Sequence, residues 1–111
     1  MVPVIDAHHH TYEIHVMAVL SSDPKAIPLC LLHGWPGSFV EFLDIIPILA
    51  ASTSPAFHII VPSLPGFGFS SPPSLKRDIE PMPEIPAIMH KLMTGLGFST
   101  CALLYSIDDA C

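Results

Sequence analysis

Four stretches of this 111-residue sequence hold residue types that could do chemistry. The first is His33-Gly34-Trp35-Pro36-Gly37, which follows the apolar run IPLCLL. A sharp turn from a buried strand into a helix exposes backbone N–H groups beside the positive helix end. Such a turn can stabilise an anion developing on a substrate oxygen. The same residues also suit a tight turn in which glycine and proline only shape the chain. The second stretch is Gly66-Phe67-Gly68-Phe69-Ser70, preceded by Ser63-Leu64-Pro65. Its G-x-G spacing lacks the third glycine and the helix start of a dinucleotide fingerprint, so it reads as a shaped loop. The third is Ser106-Ile107-Asp108-Asp109-Ala110, directly after the apolar run CALLY. A nucleophile on a strained strand-to-helix elbow needs small residues two positions before and after it, and Ser106 and Ala110 meet that need around Asp108. A polar tail would read the same way. The fourth is Asp6-Ala7-His8-His9-His10. An HxH pair on a strand can hold a divalent metal. No later His or Asp has a ligand context, so no metal is expected and residues 1–11 read as a disordered, solvated tail.

These stretches need elements to position them. Residues 12–20 (YEIHVMAVL) alternate as a strand, with Tyr12, Ile14 and Val16 at period two. Residues 27–32 form a continuous apolar run, as suits a strand buried on both faces of a parallel sheet. Ser38 and Glu41 make a capping box for a helix over 38–49, which Pro47 should kink or end. Residues 57–61 (FHIIV) are a second buried strand, and 62–73 a long loop. A second helix covers 85–96, with Gly97 as its C-cap. Residues 101–105 are a third apolar strand. Strands alternating with helices at these lengths predict an α/β fold with a mostly parallel sheet flanked by helices.

Composition narrows the function classes. The chain is 50% hydrophobic and 13% charged, too apolar for disorder. Ten acidic residues against four basic ones give a net charge of −6, and no Lys/Arg run exists, which excludes nucleic acid as a partner. No apolar stretch reaches the ~18–20 residues of a membrane span. No signal-peptide pattern opens the chain, and three cysteines without metal spacing suit reduced thiols. A cytoplasmic protein is expected.

The three blocks IPLCLLHGWPGSFVEFLDIIPIL, FHIIVPSLPGFGFSSPP and IMHKLMTGLGF occur in that order. Together, from about Tyr12 to Ser99, they resemble the microsomal-type epoxide hydrolases of the α/β-hydrolase fold. The resemblance implies a partial α/β-hydrolase fold, with residues 1–111 as the N-terminal part of its domain. It implies an oxyanion motif at His33, Gly34, Trp35 and Pro36, with the Trp35 backbone N–H as a donor. It implies a structural motif loop at Gly66, Gly68 and Ser70. In that family an elbow Asp attacks an epoxide carbon and forms an ester. A His–acid pair then activates water to release a vicinal diol, and lid tyrosines help open the ring. No cofactor is implied.

Asp108 is the candidate nucleophile, but the family's elbow reads like Gly-Gly-Asp-Trp-Gly where this sequence has YSIDDAC. Asp108 also falls about one residue late. The lid, the catalytic His and its acid would lie downstream, and neither His58 nor His90 stands in for that His. The expectation is therefore an epoxide hydrolase-like chain, truncated and inactive. The alternatives are a fragment of another α/β-hydrolase, such as an esterase or dehalogenase, and a residual module without catalysis.

Overall fold

The computed structural model describes residues 1–7, 9–34, 37–72 and 85–105. Strands β1 (Val2–Ile5) and β2 (Thr11–Ile14) form an antiparallel hairpin. A four-stranded sheet contains β3 (Val16–Val19), β4 (Ile27–Leu32), β5 (Phe57–Pro62) and β6 (Ala102–Tyr105) in the order β3-β5-β4-β6. β4 runs parallel to both β5 and β6, whereas β3 is antiparallel to β5. The mostly parallel α/β sheet expected from the pattern is therefore present. A 3-10 turn (Phe39–Phe42) and helix α1 (Ile46–Ala50) follow β4, and helix α2 (Ile85–Gly95) precedes β6.

The apolar runs in β4 and β5 are explained by burial on both faces. Leu29, Leu31, Ile59 and Val61 pack with Phe42 and Ile46 on one side. Cys30, Leu32 and Ile60 pack with Ile88, Met89, Leu92 and Met93 of α2 on the other, where Val4, Tyr12 and Ile14 of the hairpin complete the cluster. A strand covered on both sides has no polar face to show, so alternation disappears. Burial raises the Cys30 thiol to about 12, with the Cys101 thiol nearby adding to the shift.

Three expectations are corrected. Residues 1–11 are not a disordered tail, because Val2–Ile5 pairs with Thr11–Ile14 and buries Val4 against α2. His9 and His10 lie in the hairpin loop. There the Asp6 N–H donates to the His10 carbonyl (2.9 Å), the His10 N–H donates to Asp6 Oδ1 (2.9 Å), and His9 takes φ 63°. Aspartate accepting from a nearby backbone N–H is a turn-forming device. The single strand over 12–20 is two strands. The chain leaves β1 for β5 at His15, although Tyr12, Ile14 and Val16 keep one continuous inward face. The helix over 38–49 is a 3-10 turn and then α1. Pro47 has no N–H to give back to Leu43, and it sits at the start of α1, where no donor is required. Ser38 does cap as expected, accepting from the Val40 N–H at 3.3 Å.

The close of α2 follows the sequence signal. Gly97 has φ 96°, its N–H donates to the Thr94 carbonyl, and the Phe98 N–H donates to the Met93 carbonyl. This pair of bonds is a Schellman cap.

Candidate active-site turn and its supporting loop

β4 and β5 are adjacent and parallel, so the stretches that follow them leave from the same end of the sheet. That end is where open α/β sheets place their sites. His33 opens the first stretch and is fully buried. Its Nε2 accepts from the Leu64 N–H at 3.1 Å, which leaves Nδ1 to carry the hydrogen and donate to the Gly34 carbonyl at 3.0 Å. Both ring nitrogens are thus committed to backbone. The imidazole fixes the direction of the peptide that leads into the turn. At the far end, a Cβ on Gly37 would stand 2.8 Å from the Gly34 carbonyl oxygen and 2.9 Å from Glu41 Oε2. Only glycine lets the turn close that tightly. Trp35 and Pro36 lie outside the described residues.

The second stretch supports the first. Gly66 and Gly68 have φ of 87° and 52°, conformations that glycine adopts without cost. A Cβ on Gly68 would come within 2.5 Å of Ser63 Oγ. Ser70 is buried; its Oγ donates to the Ser63 carbonyl at 2.6 Å and accepts from the His15 N–H at 2.9 Å. Ser71 exchanges two bonds with the backbone of Glu13. The Phe67 ring meets His33 edge-on at 5.1 Å. The structure therefore brings His33 and Gly34 together with Gly66, Gly68 and Ser70.

The sequence reading missed His15, and it named Gly37 and Ser63 only within their stretches, with no role for either side chain or position. His15 Nδ1 is 2.9 Å from Ser63 Oγ, and its ring lies 4.9 Å from Phe39 and 5.1 Å from Phe69. Ser63 is fully buried and its N–H donates to the His15 carbonyl at 2.8 Å. His15 falls at a polar position of the Tyr12-Ile14-Val16 alternation, so no local signal marked it.

Asp108 lies outside the described residues. β6, three residues earlier, ends with Tyr105 paired to Leu32, level with the start of the His33 turn. His58 sits toward the opposite end of β5, where its Nδ1 accepts from the Ser21 N–H at 3.1 Å. His90 is exposed on α2. Neither reaches the turn. Among the described residues no group of three or more His, Cys, Asp or Glu could hold a metal ion. No helix among them is long and apolar enough to cross a membrane.

Comparison with known proteins identifies the fold family. Residues 2–42 match the family model described as epoxide hydrolase N terminus, and residues 27–104 match that of the alpha/beta hydrolase fold. The epoxide hydrolase structure from Aspergillus niger superposes with a TM-score of 0.73 at 42% identity, covering 86% of this chain and 26% of that one. The juvenile hormone epoxide hydrolase from the silkworm Bombyx mori gives a TM-score of 0.71 at 38% identity, covering 85% and 26%. Juvenile hormone epoxide hydrolase 2 of Ctenocephalides felis is 38% identical over 100 residues, 85% of this chain and 20% of that relative. The chain thus spans about a quarter or less of the length of these proteins. With its sheet order, its buried His33 turn and these matches, the chain belongs to the α/β-hydrolase fold family, and its relatives there are epoxide hydrolases.

Proposed function

We propose that this chain is the N-terminal part of an epoxide hydrolase domain and carries the oxyanion side of its site. The observation that carries the reading is the His33–Gly34 turn, pinned by Leu64 at one end and closed on Gly37 at the other. In this reading a carboxylate oxygen of Asp108 attacks an epoxide carbon. The ring C–O bond breaks, the resulting alkoxide takes a proton, and an alkyl ester remains on Asp108. Water then attacks the ester carbonyl, and backbone N–H groups of the turn, with that of Trp35 as a donor, hold the oxyanion until the acyl C–O bond breaks, releasing the diol and regenerating the Asp108 carboxylate. The substrate is a small-molecule epoxide, and no cofactor takes part. A cytoplasmic location belongs to the same reading and is supported by the free thiols of Cys30 and Cys101.

Among the described residues, none is placed to activate that water. His15 and His33 bond to Ser63 and to backbone, and His58 bonds to Ser21. None is free to act as the base. The purified chain is therefore expected to form no diol from styrene oxide, and at most a single adduct per molecule, located on Asp108 by peptide mass spectrometry. Asp108→Asn abolishes the adduct. Repeated turnover, or an adduct that survives the substitution, overturns the assignment. The aspartate also separates this reading from the esterase alternative, because esterases carry serine at the elbow.

A further inference from the structure

We infer that His15 is a positioning residue for Gly34 and Gly37, the two described ends of the candidate turn, reaching toward both with one imidazole. The inference rests on reading that turn as the oxyanion site.

The first grip runs through hydrogen bonds. His15 Nδ1 bonds Ser63 Oγ at 2.9 Å, and the His15 carbonyl accepts from the Ser63 N–H at 2.8 Å. Ser63 is fully buried and its carbonyl accepts from Ser70, so this residue has no slack. The next residue, Leu64, gives its N–H to His33 Nε2, and His33 Nδ1 holds the Gly34 carbonyl. A displaced Ser63 moves the Leu64 amide, and with it the ring that sets the entry to the turn.

The second grip runs through ring packing. The centroid of the imidazole lies 4.9 Å from that of the tilted Phe39 ring, and Phe39 opens the 3-10 turn two residues after Gly37. Phe69 meets the same ring edge-on at 5.1 Å. Aromatic contacts at such separations have preferred geometries and resist sliding. Few side chains offer both a nitrogen at the Nδ1 position and a flat ring, and the two grips need one each.

Two substitutions separate them. His15→Phe keeps the ring and removes the nitrogen; His15→Asn keeps a polar group near the Nδ1 position and removes the ring. Hydrogen exchange of the full chain reads both ends: the Leu64 amide reports on the entry, and the Glu41 amide, bonded to the Ser38 carbonyl at 3.2 Å, reports on the exit. Losing one hydrogen bond of ordinary strength is expected to speed exchange by about tenfold. His15→Phe should do so at Leu64 and leave Glu41 within about twofold; His15→Asn should do the reverse. The nitrogen-15 shifts of His33, with Nδ1 protonated and Nε2 bare, should survive His15→Asn and change in His15→Phe.

The Leu96 amide, which donates to Leu92 in the last turn of α2, is the control. Equal loss of protection at Leu96 in both variants means that His15 supports the fold at large and overturns the proposal. So does unchanged exchange at Leu64 in His15→Phe. No epoxide enters the measurement, so a missing Asp108 adduct and a missing His15 coupling are separate outcomes.

Discussion

β4 and β6 are neighbours of similar composition, IPLCLL and ALLY, yet they live in different surroundings. β4 lies between two strands, is covered by α1 on one face and α2 on the other, and leads into a turn held at both ends. β6 pairs with β4 alone among the described residues, and Leu103, Leu104 and Tyr105 are 60, 45 and 53% exposed. A cleft of about 540 Å³ between α2 and β6 is lined by Cys30, Met89, Met93 and Leu103. An apolar run therefore specifies only a capacity for burial; neighbours on both flanks and both faces decide whether it is realised. The site follows the same division, since its described residues hang on β4 and β5, while Asp108 follows β6.

The comparison breaks most visibly at a glycine. Gly68 combines φ 52° with a Cβ position 2.5 Å from Ser63 Oγ. Gly97 has φ 96° with nothing within 4 Å. Gly68→Ala should lower stability by about 2–3 kcal/mol, the cost of the backbone conformation plus a disturbed Ser63–His15 bond. Gly97→Ala should cost about 1 kcal/mol, the backbone term alone. Urea midpoints at constant slope measure both. Equal costs would mean that the supporting loop is no tighter than an open helix cap.

The same contrast explains what could be read from the sequence. β4, β5 and the Gly97 cap were legible because their causes are local: a run of apolar residues and a glycine at a helix end. The His33 and Gly66–Ser70 stretches were legible as motifs. Their coupling was not. The His15–Ser63 and His15–Ser70 bonds join residues 48 and 55 positions apart, and no local pattern records such a partner. The β1–β2 hairpin was hidden differently. The run of histidines drew attention from Val2 and Val4, whose alternation gives β1 its inward face.

Cys30 sharpens the comparison through pH. Its thiol is raised from 9.0 to about 12 in the folded chain, first by burial and then by Cys101. The folded state holds this proton more tightly than the unfolded one. Its contribution to stability is thus complete below about pH 9 and is lost as pH rises toward 12. The slope approaches ~1.4 kcal/mol per pH unit in that window. Cys30→Val removes this component, so the alkaline arm of the stability curve should be shallower in the variant than in the parent chain. At pH 8, iodoacetamide should label exposed Cys101 and spare buried Cys30 until denaturant is added. Equal labelling of both thiols would show that the α2 face of β4 is open to solvent.

The smallest effect on stability is expected at β6. Leu104 lies opposite Leu31 in the register, on the α1 face of the sheet, but is 45% exposed where Leu31 is fully buried. Leu104→Lys exchanges a half-solvated apolar group for one whose stem covers the same surface and whose charge reaches water. Stability should change by less than about 0.5 kcal/mol. Association should change far more, because exposed apolar edge strands pair with one another and a lysine there opposes that pairing. Sedimentation velocity across a concentration series is expected to show self-association in the parent chain and a shift toward monomer in Leu104→Lys. A loss of stability on the scale of a core substitution, about 2–5 kcal/mol, would mean that β6 is packed as firmly as β4. The two strands would then differ in name only, and the division between a closed and an open half of the sheet would fall.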